Sequence, residues 1–514
     1  MSNQHDTTRN KIKDIEELAC FLESVRADNR KVVHCHGVFD LLHVGHIRHF
    51  EQAKQLGDVL VVTITPDRFV NKGPSRPAFG EALRAEAVAA LDCVDHVAIN
   101  RWPIAVETLR LLRPDFYVKG SDYENPEDDR TTGIGLEEAA VKSVGGQLVF
   151  TDEITFSASQ LINRHLSVFP KEVNNYLTSF SNRYSAEDVL RYLEGASALK
   201  VLVIGETIID EYVYCETLGK SGKEPVLATK HINSEKFAGG IVAVANHVSA
   251  LSDHVAMLTF LGRTDSQKDF IFEKLNNNVD PMCLTLEGDA PTIVKRRYVE
   301  AYPFQKLFEV YLMDDGESKP AEEAALCDKL VEVLPKYDVV IVTDYGHGML
   351  GPDAVEILCS QARFLAVNTQ VNAGNGGFNT ISKYRRADFI CLSESEIRLD
   401  VRSRRRDIRD IVEGIGKKLS CPRIVITQGQ VGCLGYSKEE GFFEVPAFAA
   451  RVVDRIGAGD TVFSITALCA AQGTPIEIMG FIGNVAGAEA VATVANRSSI
   501  ERVPFFRHIE TLLK

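Results

Sequence analysis

Two stretches of this chain set reactive side chains at spacings that chemistry can use. In GVFDLLHVGH, Gly37 to His46, two histidines three apart stand where a strand-like run turns into a helix-like one. Residues three apart share a helix face, and a helix N-terminus offers free amides and a favourable dipole to an anion. His43 and His46 are therefore expected to be catalytic in nucleotidyl transfer, where an attacking phosphate and a leaving pyrophosphate are both anionic. In DRIGAGDTVFS, Asp454 to Ser464, glycines surround a second strand-to-helix turn that ends in a carboxylate. Glycines free backbone amides to approach an anion closely. The amides of Ile456 to Gly459 would stabilise charge on a transferring phosphoryl group while Asp460 takes the proton of the attacking hydroxyl.

A chain of 514 residues exceeds what one hydrophobic core serves, so the two clusters are expected on separate domains. The runs KVVHCHG, DVLVVTI, HVAIN, DFYVKG and QLVFTDE alternate with helix-like stretches, the pattern of a parallel sheet covered by helices. Residues 1–30 read as an N-terminal extension, 31–166 as the first α/β domain, 167–199 as a polar helical linker and 200–514 as a second, larger α/β domain. Its expected strands are LKVLVIGETIID, VAMLTFL, DVVIVTDYG, RFLAVNT, ADFICL and RIVITQG.

The net charge of −14 disfavours nucleic-acid and membrane-surface partners, because an acidic surface repels phosphate backbones and anionic lipid. Eleven cysteines without a Cys-x-x-Cys pair argue against a zinc knuckle or disulfide framework and fit a reducing cytoplasm. The polar N-terminus MSNQHDTTRNKIKD lacks a secretory apolar core, and no run is apolar and long enough to span a bilayer. The basic run VRSRRRDIRD is interleaved with Asp407 and Asp410 and reads as a solvated helix face, and Trp102 as a packing residue.

The first cluster, with Gly37, Phe39, Asp40 and Gly45 around the histidines, resembles the G-x-F-D-x-x-H-x-G-H form of the cytidylyltransferase-like nucleotidyltransferases. That resemblance implies a Rossmann-like domain. It makes Lys72 and Arg76 of KGPSRP phosphate-contacting, with Lys72 catalytic, and adds Arg84. Lys119, Gly120 and Asp122 of VKGSDY would line the nucleotide pocket, and Ser157 and Ser159 of FSASQLI would open a terminal helix that cradles the triphosphate, Ala158 replacing the usual threonine.

The second cluster resembles the D-T-x-G-A-G-D signature of the ribokinase-like (PfkB) sugar kinases, with Arg455 in place of threonine. The resemblance implies an α/β domain with a small β lid and an anion hole at Gly457, Ala458 and Gly459. Thr427 and Gly429 would lie on the ATP side, and Glu396 would serve as a magnesium or phosphate residue. The sugar side would comprise Asp210, Gly239, Gly240, Asn246, Asp344 and the cations Lys295 and Arg297. Ser393 replaces the asparagine expected before Glu396, Ala243 stands where the sugar-binding asparagine is expected, and NTQVNAGNGGFN, from Asn368, replaces a D-P-K segment with one richer in amides.

Together the halves resemble the bifunctional ADP-heptose synthases with the domain order reversed. The resemblance implies a cytoplasmic sugar kinase and sugar-phosphate nucleotidyltransferase making an ADP- or CDP-heptose-like product. Its expected requirements are Mg2+, ATP or CTP, and a sugar or sugar phosphate, and a homodimer is compatible with it. The alternative is a polyol-phosphate cytidylyltransferase fused to a decayed, kinase-like sugar sensor.

Overall fold

The computed structural model describes residues 8–73, 76–120, 133–151, 169–314 and 319–514. It divides into two compact units, Met1–Pro170 with Phe506–Lys514, and Lys171–Phe505.

The first unit is built on five parallel strands: β1 Val32–Gly37, β2 Val59–Ile64, β3 His96–Ile99, β4 Phe116–Gly120 and β5 Gln147–Thr151. Their order is β3-β2-β1-β4-β5. The order reverses between β1 and β4, and ligands bind open α/β sheets outside the carboxyl ends of the strands at such a switch point. VVHCHG and VLVVTI are almost wholly buried because helices cover both faces. Those helices include α1 Ile15–Ala27, α2 Val44–Lys54, α3 Glu81–Ala89, α4 Val106–Leu112 and α5 Gly133–Ser143. The expected extension 1–30 thus contains α1, which buries Ile15, Leu18, Leu22 and Val25 in one cluster with Val32, Val59 and Val61 of the sheet. Its start is set by Asp14, whose carboxylate accepts from the Glu16 amide at 3.0 Å.

The second unit opens with α6 Lys171–Ser181 and α7 Ala186–Gly195. These residues were expected as a linker, yet they pack on the unit itself. Phe180 stacks on Phe481 with ring centroids 4.4 Å apart, and Arg183 forks onto both oxygens of Glu477 at 2.6 Å.

The main sheet of that unit contains β6 Lys200–Gly205, β9 His254–Leu261, β10 Val279–Thr285, β13 Val339–Asp344, β14 Leu365–Thr369, β15 Phe389–Ser393, β16 Arg423–Thr427, β17 Gly432–Ser437 and β18 Gly441–Pro446. It is ordered β10-β9-β6-β13-β14-β15-β16-β17-β18. A separate four-stranded sheet, β12-β11-β7-β8, is formed by β7 Thr207–Lys220, β8 Leu227–Gly239, β11 Ile293–Glu300 and β12 Gln305–Leu312. This is the small β lid, and Glu206 alone separates β6 of the main sheet from β7 of the lid.

Helices α8 Gly240–Ser249, α9 Glu394–Asp400, α10 Ala458–Ala471 and α11 Ile476–Ala490 bear on the site. AGDTVFSITALCAA is buried at every position from Asp460 to Ala470, as expected of a helix apolar all round that sits centrally in a large domain. Among the described residues no helix is long and apolar enough to cross a membrane.

Candidate active sites

The first site lies where β1 hands the chain to α2. Phe39 takes a φ of 48°, a left-handed conformation that costs a non-glycine residue about 1–3 kcal/mol and persists where surroundings enforce it. They do so here: the Phe39 ring meets the rings of His46 and Phe50 edge-on, with centroids 5.2 and 5.0 Å away. Gly37 leaves room for that ring, since a Cβ there would stand 2.9 Å from it.

His43 is the N-cap of α2 and stacks on His46 with centroids 3.8 Å apart. The Gly45 amide donates to His43 Nδ1 at 3.2 Å. The neutral ring therefore carries its proton on Nε2. That Nε2 and His46 Nδ1 are both buried and have no hydrogen-bond partner among the described residues. Buried polar atoms of this kind need an explanation, and an anion seated at the start of α2 supplies one. Burial holds the His43 imidazole below its ordinary value and pushes His46 down to about 3, with His43, His49 and Lys72 adding to the effect.

The basic residues divide by role. Asp40 accepts from the amides of Ala78 and Phe79 at 2.7 and 3.1 Å and from Arg76 at 3.3 Å, anchoring the basic loop beside the histidines. Burial lowers Lys72 to about 8, with further lowering by Lys514, Arg76 and Arg507 against the opposing pull of Asp40. Arg84 was expected at the nucleotide, but its side chain is buried and fully engaged within the protein. It donates to the carbonyls of Phe79 at 2.9 Å and Thr65 at 2.8 Å, to that of Val38, and to Asp67 at 2.6 Å. It braces the loops that carry the site. Lys119 is paired at 3.0 Å with Glu137, which also accepts from Tyr117. Gly120 ends β4 with open space where a Cβ would be. Asp122, Ser157 and Ser159 lie outside the described residues.

Sequence reasoning missed a polar ladder inside this sheet. His34 Nε2 and His36 Nδ1 meet the Thr63 hydroxyl at 2.7 and 2.9 Å, and His36 Nε2 meets Thr65 at 3.2 Å. The alternation of histidines in VVHCHG is the signal, since both rings fall on one face of a strand.

The second site gathers around the N-terminus of α10. Gly457 has φ +81°, and a Cβ there would stand 2.1 Å from Asn496 Oδ1, so only glycine fits the turn. Ala458 begins α10, and above Gly459 a Cβ would meet nothing within 4 Å. The Ala458 amide makes a long bond to the Arg455 carbonyl at 3.4 Å, and the space beside Gly459 at the start of the helix is open among the described residues, where a helix N-terminus favours an anion. Asp460 is buried, which pushes its carboxyl up to about 7, raised also by Asp210 and Glu396 and opposed by Tyr345 and Lys295. Gln370 donates its amide to Asp460 Oδ1 at 2.8 Å.

The lid supplies the other wall. Asp210 on β7 lies beside Lys295 of β11 in register and bonds to Arg297. Gly239 lies where a Cβ would stand 2.3 Å from the Asp210 carboxylate, and Gly240, φ +55°, starts α8. Lys295 is buried with its ammonium 5.0 Å over the Tyr311 ring. Burial lowers its pKa against the pull of Asp210, and no hydrogen bond or ion pair to it is present among the described residues. The lid also ties into the anion-hole turn. Lys306 of β12 and Tyr212 of β7 bond to Asp454, the tyrosine at 2.7 Å, and Asp454 accepts from the Ile456 amide at 3.2 Å.

Three expected sugar or metal residues turn out to be internally engaged. Asp344 accepts from Tyr384 at 2.7 Å, Gly346 at 3.2 Å and Asn379 at 3.1 Å, and pairs with Lys383 at 2.5 Å. Asn246 donates to the Lys274 carbonyl at 2.8 Å and accepts from the Asn276 amide at 2.9 Å, so it fastens a loop; it also borders a polar cavity of about 350 Å³ with Ala243, His247 and Arg497. Glu396 closes a capping box with Ser393 and accepts from the Val371 amide at 3.2 Å. That box explains why serine stands at 393. Thr427 ends β16 and Gly429, φ +60°, opens the next turn with free space above it.

Glu396 is the expected magnesium or phosphate residue of this site, and among the described residues no group of three or more His, Cys, Asp or Glu could hold a metal ion.

Residues 34–164 match the family model described as Cytidylyltransferase-like, and residues 198–502 match that of the pfkB family carbohydrate kinases. The bifunctional protein HldE of Geobacter metallireducens is 37% identical over 178 residues, covering 34% of this chain and 34% of its own. HldE of Actinobacillus pleuropneumoniae serotype 5b is 29% identical over 309 residues, 59% of this chain and 62% of its own. The chain therefore spans less than two thirds of the length of either relative. Phosphofructokinase-2 from Escherichia coli, solved in complex with potassium, matches with a TM-score of 0.50 at 14% identity over 62% of this chain and 100% of that one, a likeness of fold alone.

Proposed function

The chain belongs to the pfkB family of carbohydrate kinases, and from that premise we propose a bifunctional enzyme that phosphorylates a sugar in the second unit and joins a sugar phosphate to a nucleotide in the first. The carrying observation is that the chain has two strand-to-helix turns suited to an anion, one beside histidine nitrogens that have no partner among the described residues and one a glycine turn leading to Asp460. The name of the relatives, bifunctional protein, agrees with two activities on one chain.

In the second unit Asp460 accepts the proton of a sugar hydroxyl, the oxygen attacks the γ-phosphorus of ATP, and the bond to ADP breaks while the amides at Gly457 to Gly459 bind the developing charge. Lys295 favours a sugar that already carries a phosphate, since its buried ammonium makes no ion pair among the described residues and can form one with a phosphate. In the first unit an oxygen of the sugar 1-phosphate attacks the α-phosphorus of ATP or CTP, and pyrophosphate leaves. His43 donates from Nε2 to a phosphate oxygen, His46 lies against it, and Lys72 and Arg76 neutralise the polyphosphate. Magnesium bound to the nucleotides would screen their charge in both sites. Both reactions draw on nucleoside triphosphates, which favours a cytoplasmic enzyme.

The test is mass spectrometry of products after incubating the purified chain with ATP, CTP and a panel of heptose and hexose phosphates. ADP together with a nucleotide-linked heptose is expected. A nucleotide-linked polyol without ADP formation would support the decayed-kinase reading, and neither product would end both.

A further inference from the structure

The segment after β14 differs in chemistry from the rest of the second site. It reads NTQVNAGNGGFN, with five side-chain amides between Asn368 and Asn379. The structure gives them a common job. Asn375 and Asn379 donate to the Gln370 carbonyl at 2.8 and 3.3 Å, and the Gln370 amide donates to the Asp344 carbonyl at 2.8 Å. Asn372 and Asn375 both donate to the Tyr345 carbonyl, at 2.8 and 3.0 Å, and the Val371 amide reaches Glu396. The backbone of Gln370 is thus fixed from three sides, and its side chain is left to reach Asp460.

We infer that Gln370 is a positioning residue for the kinase reaction, its amide holding one oxygen of Asp460 so that the other is turned to the substrate hydroxyl in its proton-accepting form. This rests on the proposed kinase activity. The physical case has two parts. A hydrogen bond donated to a carboxylate favours its charged form. Burial, Asp210 of β7 and Glu396 of α9 disfavour that form, with Tyr345 and Lys295 in partial opposition. The other groups facing Asp460 are the Tyr345 hydroxyl after β13, the Lys295 ammonium on β11 and the Cys391 thiol on β15. Glutamine also has a geometric merit. A lysine at this place would pair with the base as a full charge, whereas a neutral amide orients one oxygen without suppressing proton uptake as strongly.

The test compares wild type with Gln370→Leu, which keeps the size and removes the donor, and Gln370→Asn, which keeps the donor and shortens its reach. Two readouts are taken on the full chain. One is the pH profile of kcat for ADP formation. The other is a titration of the Asp460 carboxyl by 13C NMR, assigned with Asp460→Asn. Both variants should raise the acid limb and the carboxyl midpoint by about one pH unit, which lowers kcat roughly tenfold below that limb. KM for ATP should stay within about twofold, because the amide touches the base rather than the nucleotide. An unmoved carboxyl midpoint in Gln370→Leu overturns the inference whatever happens to the rate. A moved midpoint in a chain that makes no ADP from any sugar would refute the proposed kinase reaction and leave the hydrogen bond's role standing.

Discussion

The two sites respond to burial in opposite directions. Burial removes the proton from His46, pushed down to about 3, and retains it on Asp460, pushed up to about 7. The histidine pair has nitrogens without a partner among the described residues, while the aspartate is already held by Gln370. A site that binds a preformed polyanion can leave its donors vacant, since the ligand brings the charge. A site that must itself lose a proton needs an internal group to favour the carboxylate.

The sharpest way to break this comparison is to disable each site separately. Asp460→Asn should lower ADP formation by about 10²–10⁴-fold, the range for a general base, and leave pyrophosphate release unchanged. His46→Ala should cut pyrophosphate release by about 10²–10³-fold and leave ADP formation intact, the usual loss when one charge-stabilising group is removed. Coupled assays on the same preparation read both products. A folded variant that loses both activities would show that the division of labour between the units is wrong.

Next in size are two stability effects. Arg84→Met would strand the carbonyls of Phe79, Thr65 and Val38 without their donor, at about 3 kcal/mol or more. Denaturant unfolding followed through Trp102, which packs in the α1 cluster, should report it. Gly457→Ala forces a side chain into a left-handed turn 2.1 Å from Asn496 Oδ1, at about 1–3 kcal/mol, and should also slow ADP formation because it displaces the anion hole. Unaltered kinase kinetics in this variant would detach the turn from catalysis.

Much of this architecture was legible in the chain because the parallel strands of both main sheets are covered on both faces and read as unbroken apolar runs such as VLVVTI and VVIVTD. The lid was harder to delimit strand by strand. Its β7–β8 hairpin carries HINSEK and other polar, exposed residues, which periodicity does not separate from a loop. The glycine turns and the histidine pair were visible from residue type, since few residues tolerate those backbones or supply those donors. What stayed hidden were partnerships across long sequence distances. Arg84 reads as a phosphate ligand until its carbonyl acceptors are seen, and Asp344 reads as a sugar ligand until Tyr384 and Lys383 surround it. Gln370 gave only a hint, an amide where a charged segment was expected, because nothing in local spacing ties it to a residue 90 positions away.

The smallest predicted effect sharpens the opening contrast most directly, because it gives the two units different pH slopes. In the first unit His46, His36 and His49 have folded values lowered to about 3, 4 and 4 from the ordinary 6.5. Between those limits the unfolded state binds more protons, so stability rises with pH there and is lost as pH falls below 6.5. In the second unit Glu206 and Asp460 are both raised to about 7, from ordinary values of 4.5 and 3.8, mainly by burial. Here the folded state binds more protons, so stability is greatest at low pH and falls as pH rises toward 7. His247 and His347, both lowered to about 4 mainly by burial, oppose this trend as pH falls below 6.5, and Asp454, whose carboxyl is lowered by Lys306 and Tyr212 against the cost of its burial, does so only below about 3.8. From pH 6.5 down to 5 the first unit's thermal transition should therefore drop while the second's changes little, because its raised carboxyls and lowered histidines offset each other, each group contributing on the order of 1 kcal/mol per pH unit. Calorimetry of the full chain, with the transitions assigned by Arg84→Met and Gly457→Ala, would resolve the two. Parallel movement of both transitions would mean that surface charge, rather than these buried groups, governs the response, and the contrast between the sites would lose its electrostatic basis.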